Sequence, residues 1–71
     1  MSVELVTREG CHLCEEAAEL LRRGGVEVNL RDVDSDPELF RLYDFRVPVV
    51  LLDGKVVAEG LIDATVLSRL S

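Results

Sequence analysis

Thr7-Arg8-Glu9-Gly10-Cys11-His12-Leu13-Cys14-Glu15-Glu16-Ala17-Ala18-Glu19-Leu20-Leu21 is the stretch that decides how this chain folds. It leaves a strand-like run, Val3-Glu4-Leu5-Val6-Thr7, and enters a helix-like run, so the cysteines stand at a helix start. They are the only two cysteines in 71 residues. A pair at this spacing can close a small disulfide ring. The first of them sits where unpaired backbone N–H groups and the helix dipole favour an anion. Because the thiolate is the reactive form of cysteine, that placement points to redox chemistry.

Outward from this stretch, Leu13, Ala17, Leu20 and Leu21 fall on one helical face, expected to be buried. Glu15 and Glu16 suit the start of the helix, Arg22 and Arg23 its end, and Gly24-Gly25 stops it. Val26, Val28 and Leu30 then alternate with Glu27, Asn29 and Arg31, which predicts an edge strand with one face in water. A second helix is announced by Asp34-Ser35-Asp36-Pro37-Glu38: either Ser35 and Glu38 form a capping box, or Asp36 caps and Pro37 takes the first helical position. Leu39, Leu42 and Tyr43 supply its apolar face. Val47-Pro48-Val49-Val50-Leu51-Leu52 reads as a strand covered on both faces at the centre of the sheet. Asp53-Gly54 is a hairpin link into Lys55–Glu59, and Asp63 can cap a last helix running through Leu70.

The order β-α-β-α-β-β-α predicts an α/β fold with a four-stranded mixed sheet and helices on both faces. Strands one and two should be parallel through a right-handed crossover, strands three and four antiparallel. A chain of this length is expected to be one domain, residues 1–71, and 48% hydrophobic residues suffice for one small core.

The net charge of −6 is spread along the chain rather than gathered in a tail, which argues against nucleic acid or an anionic membrane as partner. The N-terminus lacks a basic segment followed by an apolar one, and no apolar run approaches the roughly 20 residues of a membrane span. The expectation is a soluble cytoplasmic protein. In that compartment an isolated Cys pair is catalytic, redox-sensing or metal-binding more often than a permanent staple.

Three features resemble the thioredoxin-fold superfamily and, within it, the small glutaredoxin-like proteins. They are the strand-loop-CxxC-helix unit with basic Arg8 three residues before Cys11, the Val47-Pro48 pair, and Gly60 followed by Asp63 after the last strand. The resemblance covers essentially the whole chain and implies a thioredoxin-like fold, a cis Pro48 beside the dithiol, and a glutathione-holding segment at Gly60 and Asp63. Departures are visible too. His12-Leu13 replaces the usual Pro-Tyr, Glu59 stands at the position of a family glycine, and the side chains of Leu61 and Ile62 cannot hydrogen-bond a carboxylate. Weaker glutathione binding than in a fully matched glutaredoxin is therefore expected. The run from Gly10 to Ala17 is similar to a group of small bacterial glutaredoxin-like proteins.

The reading that follows is a monomeric thiol–disulfide oxidoreductase acting on protein or small-molecule disulfides. Cys11 attacks and Cys14 resolves, with no cofactor required and no metal. Glutathione or a thioredoxin-type reductase would supply electrons. A protonated His12 would favour the Cys11 thiolate, whereas Glu9, Glu15 and Glu16 oppose it; His12 reads equally as an incidental surface residue. Arg8 either offsets those carboxylates, meets an anionic substrate, or is a solvated loop charge, and Arg46 stands in the same position. Val47 and Pro48 are the expected edge for an extended peptide substrate. Phe40, Tyr43 and Phe45 are expected as core or lip residues.

Two other functions fit the same residues. Cys11, Cys14 and His12 could contribute to a zinc or iron–sulfur site, but a closed site needs four ligands and so a dimer or an external thiol. A peptide-binding module with the cysteines as a redox switch is the other. A colourless, metal-free protein with disulfide turnover separates the oxidoreductase from both.

Overall fold

A computed structural model describes residues 2–70. The elements are β1 (Val3–Thr7), α1 (His12–Arg23), β2 (Asn29–Asp32), a 3-10 turn (Val33–Ser35), α2 (Pro37–Tyr43), β3 (Val49–Leu52), β4 (Lys55–Glu59) and α3 (Thr65–Arg69). The strands lie in the order β2-β1-β3-β4. β1 and β2 are parallel, and β3 runs antiparallel to both β1 and β4. This is the expected mixed sheet, with β2 on an edge and β3 inside.

Strand alternation divides the core in two. Val3, Leu5 and Val50 turn to one face and pack with Ala17, Ala18 and Leu21 of α1 and with Val66 and Leu70 around α3. Val6, Val49 and Leu51 turn to the other and pack with Val33 and Tyr43. Helices thus cover both faces, and β3 is buried on both, which is why its sequence is continuously apolar.

Three expectations need correcting. The buried stripe of α1 is Cys14, Ala17, Ala18 and Leu21, at i, i+3, i+4 and i+7, with Leu20 partly buried. Leu13 is 45% exposed, because once Cys14 points inward its predecessor is turned about 100° away. Val26 and Val28 pack against the core but lie outside β2. The N–H groups of Gly25 and Val26 return to the carbonyls of Arg22 and Leu21 in a Schellman-type stop, and the first β1–β2 pair is Glu4 with Asn29. Leu30, expected inside, is half exposed on the edge strand. On α2, Tyr43 is buried and Leu39 partly so, whereas Leu42 is exposed.

Local signals explain the boundaries. Asp36 caps α2 through the N–H groups of Glu38 and Leu39, with Pro37 in the first turn, while Ser35 belongs to the 3-10 turn and donates to the Asp32 carbonyl. Asp53 and Gly54 both have positive φ, 51° and 85°, the type I′ geometry that suits a two-residue hairpin. α3 is short, and Asp63 binds the Thr65 N–H rather than sitting at the formal cap, Ala64.

Candidate dithiol site

The register pairs Val6 with Val49, so the end of β1 lies beside the start of β3. The Arg8–Cys11 loop and the Val47-Pro48 segment therefore emerge at the same edge of the sheet. In the first loop the Cys11 N–H donates to the Arg8 carbonyl at 3.1 Å, with Gly10 at φ +78° as the turn's left-handed residue. This turn delivers Cys11 to the N-cap of α1, where its Sγ accepts from the Cys14 N–H at 3.2 Å. The two sulfurs are joined as a disulfide, with the Cα atoms 5.2 Å apart. Their environments differ: Cys11 is partly exposed, while Cys14, one turn into the helix, is 2% exposed.

The Val47–Pro48 peptide bond is cis, as the resemblance implies. The Pro48 carbonyl accepts from the Gly60 N–H at 2.9 Å, which brings the end of β4 against this segment. Across the same junction Arg46 Nε donates to Glu59 Oε2 at 2.6 Å, and the guanidinium lies 5.1 Å from the Tyr43 ring centroid. Hydrogen bonding from Arg46 holds the Glu59 carboxyl below its ordinary range. Glu59, where the resemblance leads one to expect a glycine, is thus a carboxylate that already has a cation.

The other anticipated residues are distributed unevenly. His12 is exposed and faces Glu16, with Nε2 3.7 Å from Oε2. Asp63 accepts from both the N–H and the hydroxyl of Thr65, at 3.0 and 2.6 Å, and these bonds lower its carboxyl pKa. Arg8 is engaged by the carboxylates of Asp34 and Asp44, two partners that sequence spacing did not suggest. Phe45, 95% exposed, and Leu61, 80% exposed, flank the Val47-Pro48 and Gly60 segments, and Leu13 lies between the cysteines. Their exposure has no signature in local patterning, since each reads as an ordinary apolar residue. On the α1–β2 side an open cleft of about 320 Å³ is lined by Thr7, Cys14, Ala18, Arg22 and Leu30.

Among the described residues no three His, Cys, Asp or Glu side chains are grouped to hold a metal ion, and no helix is long and apolar enough to cross a membrane.

Comparison with known proteins places this geometry. Curated proteins of Mycobacterium bovis and Mycobacterium tuberculosis, each described as uncharacterised, are 42% identical over 62 residues. The match covers 75% of this chain and 64% of theirs, so the chain spans less than two thirds of these relatives. Among solved structures, protein XcR50 from X. campestris superposes with a TM-score of 0.82 at 29% identity, covering 97% of this chain and 95% of its own. The thioredoxin-like protein BC3987 gives 0.76 at 31% identity, covering 99% and 100%. Thioredoxin 1 of Thermosipho africanus, at 0.61 and 16% identity over 99% and 90%, shares the fold alone. A thioredoxin-like fold carrying a Cys11–Cys14 pair supports a redox-type role. The family model described as Glutaredoxin-like domain (DUF836) matches residues 2–70, and the chain belongs to that glutaredoxin-like family.

Proposed function

We propose that the chain is a thiol–disulfide oxidoreductase that reduces disulfides presented in extended polypeptide. The observation that carries this reading is the inequality of the two cysteines: Cys11 is partly exposed at the N-cap of α1, and Cys14 is buried one turn in. In the reduced protein the N–H groups of the first helical turn favour an anion on Cys11. The Cys11 thiolate attacks one sulfur of the substrate disulfide; the Cys11–substrate S–S bond forms, the substrate S–S bond breaks, and the other substrate sulfur leaves as a thiolate that takes up a proton. Cys14, deprotonated, then attacks Cys11 Sγ, releasing the second substrate thiol. The substrate gains two electrons and two protons, and the Cys11–Cys14 disulfide is left.

The Val47-Pro48 segment is the candidate edge for substrate backbone, a mode of recognition that main-chain hydrogen bonds supply. Exposed Phe45, Leu61 and Leu13 favour a polypeptide partner over a small polar thiol. His12, Gly60 and Asp63 remain as further candidate contacts at the rim. Regeneration needs an external thiol or dithiol donor, glutathione or a thioredoxin-type reductase, in the reducing cytoplasm where such donors operate. The test is turnover of a disulfide substrate with glutathione and its reductase in one arm and thioredoxin reductase in the other. Turnover in either arm supports the reading and names the donor; a reduced protein that performs not even one stoichiometric exchange contradicts it.

A further inference from the structure

We propose that Arg8 is a positioning residue that ties the turn carrying Cys11 to the segment leading into Val47-Pro48, and so sets how the thiolate meets a bound polypeptide disulfide. The inference rests on the oxidoreductase reading and goes beyond it by separating attack from substrate alignment. Arg8 is the first residue of the turn whose last residue is Cys11, through the Cys11 N–H bond to the Arg8 carbonyl. Its side chain crosses to the other half of the site. Nη1 donates to the Asp44 carbonyl at 3.0 Å and Nη2 to Asp44 Oδ1 at 2.5 Å. Nε and Nη2 fork onto the two oxygens of Asp34, each at 2.9 Å.

The guanidinium also lies 5.9 Å from the Phe40 ring centroid. Asp44 closes α2 by donating its N–H to the Phe40 carbonyl, and it immediately precedes Phe45-Arg46-Val47-Pro48. Among the described residues no other hydrogen bond joins the 8–11 turn to the 44–48 segment. Arg8 is thus the link between the reacting sulfur and the peptide edge. A guanidinium held by this many oxygens presents little to a substrate anion, which argues against the substrate-binding role expected of it. The planar fork is what the two carboxylates need, and an ammonium cannot reproduce it.

The test uses a linear peptide disulfide, which can lie along Val47, and neutral dithiodipyridine, which has no backbone to pair. Rates for wild type, Arg8→Met and Arg8→Lys are compared at equal Cys11 thiolate fraction, taken from the pH profile of alkylation. Loss of alignment on the scale of an ångström lowers rates steeply. The ratio of peptide to dithiodipyridine kcat/KM is therefore expected to fall about tenfold in both variants. A general loss of structure would lower both substrates together and leave the ratio unmoved. If Arg8→Met does not fold, Asp44→Asn carries the same test with a smaller fall in the ratio. An unchanged ratio in variants that fold overturns the positioning role while leaving the oxidoreductase reading intact. A wild-type protein that reacts with neither disulfide overturns both.

Discussion

Gly10→Ala isolates the backbone strain on which the dithiol turn depends. Gly10 has φ +78°, and a Cβ built there meets no atom within 4 Å, so crowding plays no part. What remains is the left-handed conformation itself, which costs a non-glycine residue about 1–2 kcal/mol. Alanine also narrows the unfolded ensemble, which returns about 0.4–1 kcal/mol. The net loss is about 1 kcal/mol, or a fall of roughly 4–8 °C in Tm for a domain of this size. Gly10→Asn is the control, because asparagine tolerates this region better than alanine, and it should lose less. Thermal and urea unfolding of all three proteins, in the same redox state, gives the answer. An alanine variant as stable as wild type, or an asparagine variant as damaged as alanine, would refute the strain argument.

Glu59→Gly frees Arg46 from its carboxylate and removes a negative charge beside Pro48. Glutathione affinity at fixed low salt should rise several-fold; equal or weaker binding by calorimetry would place Glu59 outside the ligand's reach. The Asp34 carboxyl is held below its ordinary value of 3.8, first by hydrogen bonding from Arg8. A carboxyl lowered by folding adds stability that is present above its unfolded pKa and lost as pH falls through the folded one. The stability gap between wild type and Arg8→Met should therefore be steady from neutral pH to about pH 4 and narrow below it. A gap that keeps its full size in acid, measured by urea unfolding, would detach Arg8 from Asp34.

The strand–CxxC–helix unit, the buried β3, the Asp53-Gly54 hairpin and a helix start within Asp34–Glu38 were legible from residues adjacent in sequence, whereas the choice of Asp36 over Ser35 as its cap was not. The rotation of α1 was not, since Leu13 and Cys14 are both apolar, and only the packing of Ala17, Ala18 and Leu21 against Leu5 and Val50 fixes which of the two turns inward. The start of β2 is hidden in the sequence for a related reason. Val26 and Val28 alternate like strand residues, but the N–H of Val26 closes the helix and β1 offers its first pairing at Asn29. Long-range ion pairs were the least accessible: Arg8 finds Asp34 and Asp44 across 26 and 36 residues, and no periodicity encodes that. Arg46 and Glu59, 13 residues apart, are joined because the cis Val47–Pro48 segment and the end of β4 are neighbours.

The unequal roles of the two cysteines are the centre of this account, and trapping the mixed disulfide tests them most directly. Cys14→Ser retains the exposed nucleophile and lacks the resolver, so it should attack a peptide disulfide and stall. Cys11→Ser retains only the buried thiol, and a hydroxyl, protonated near neutral pH, cannot replace the thiolate. Intact-mass and peptide-mapping spectrometry after exposure to the peptide disulfide should show a persistent adduct on Cys11 in Cys14→Ser and none in Cys11→Ser. A stable adduct on Cys14 in the absence of Cys11, or equal alkylation rates for the two thiols in the reduced wild-type protein, would contradict the assignment.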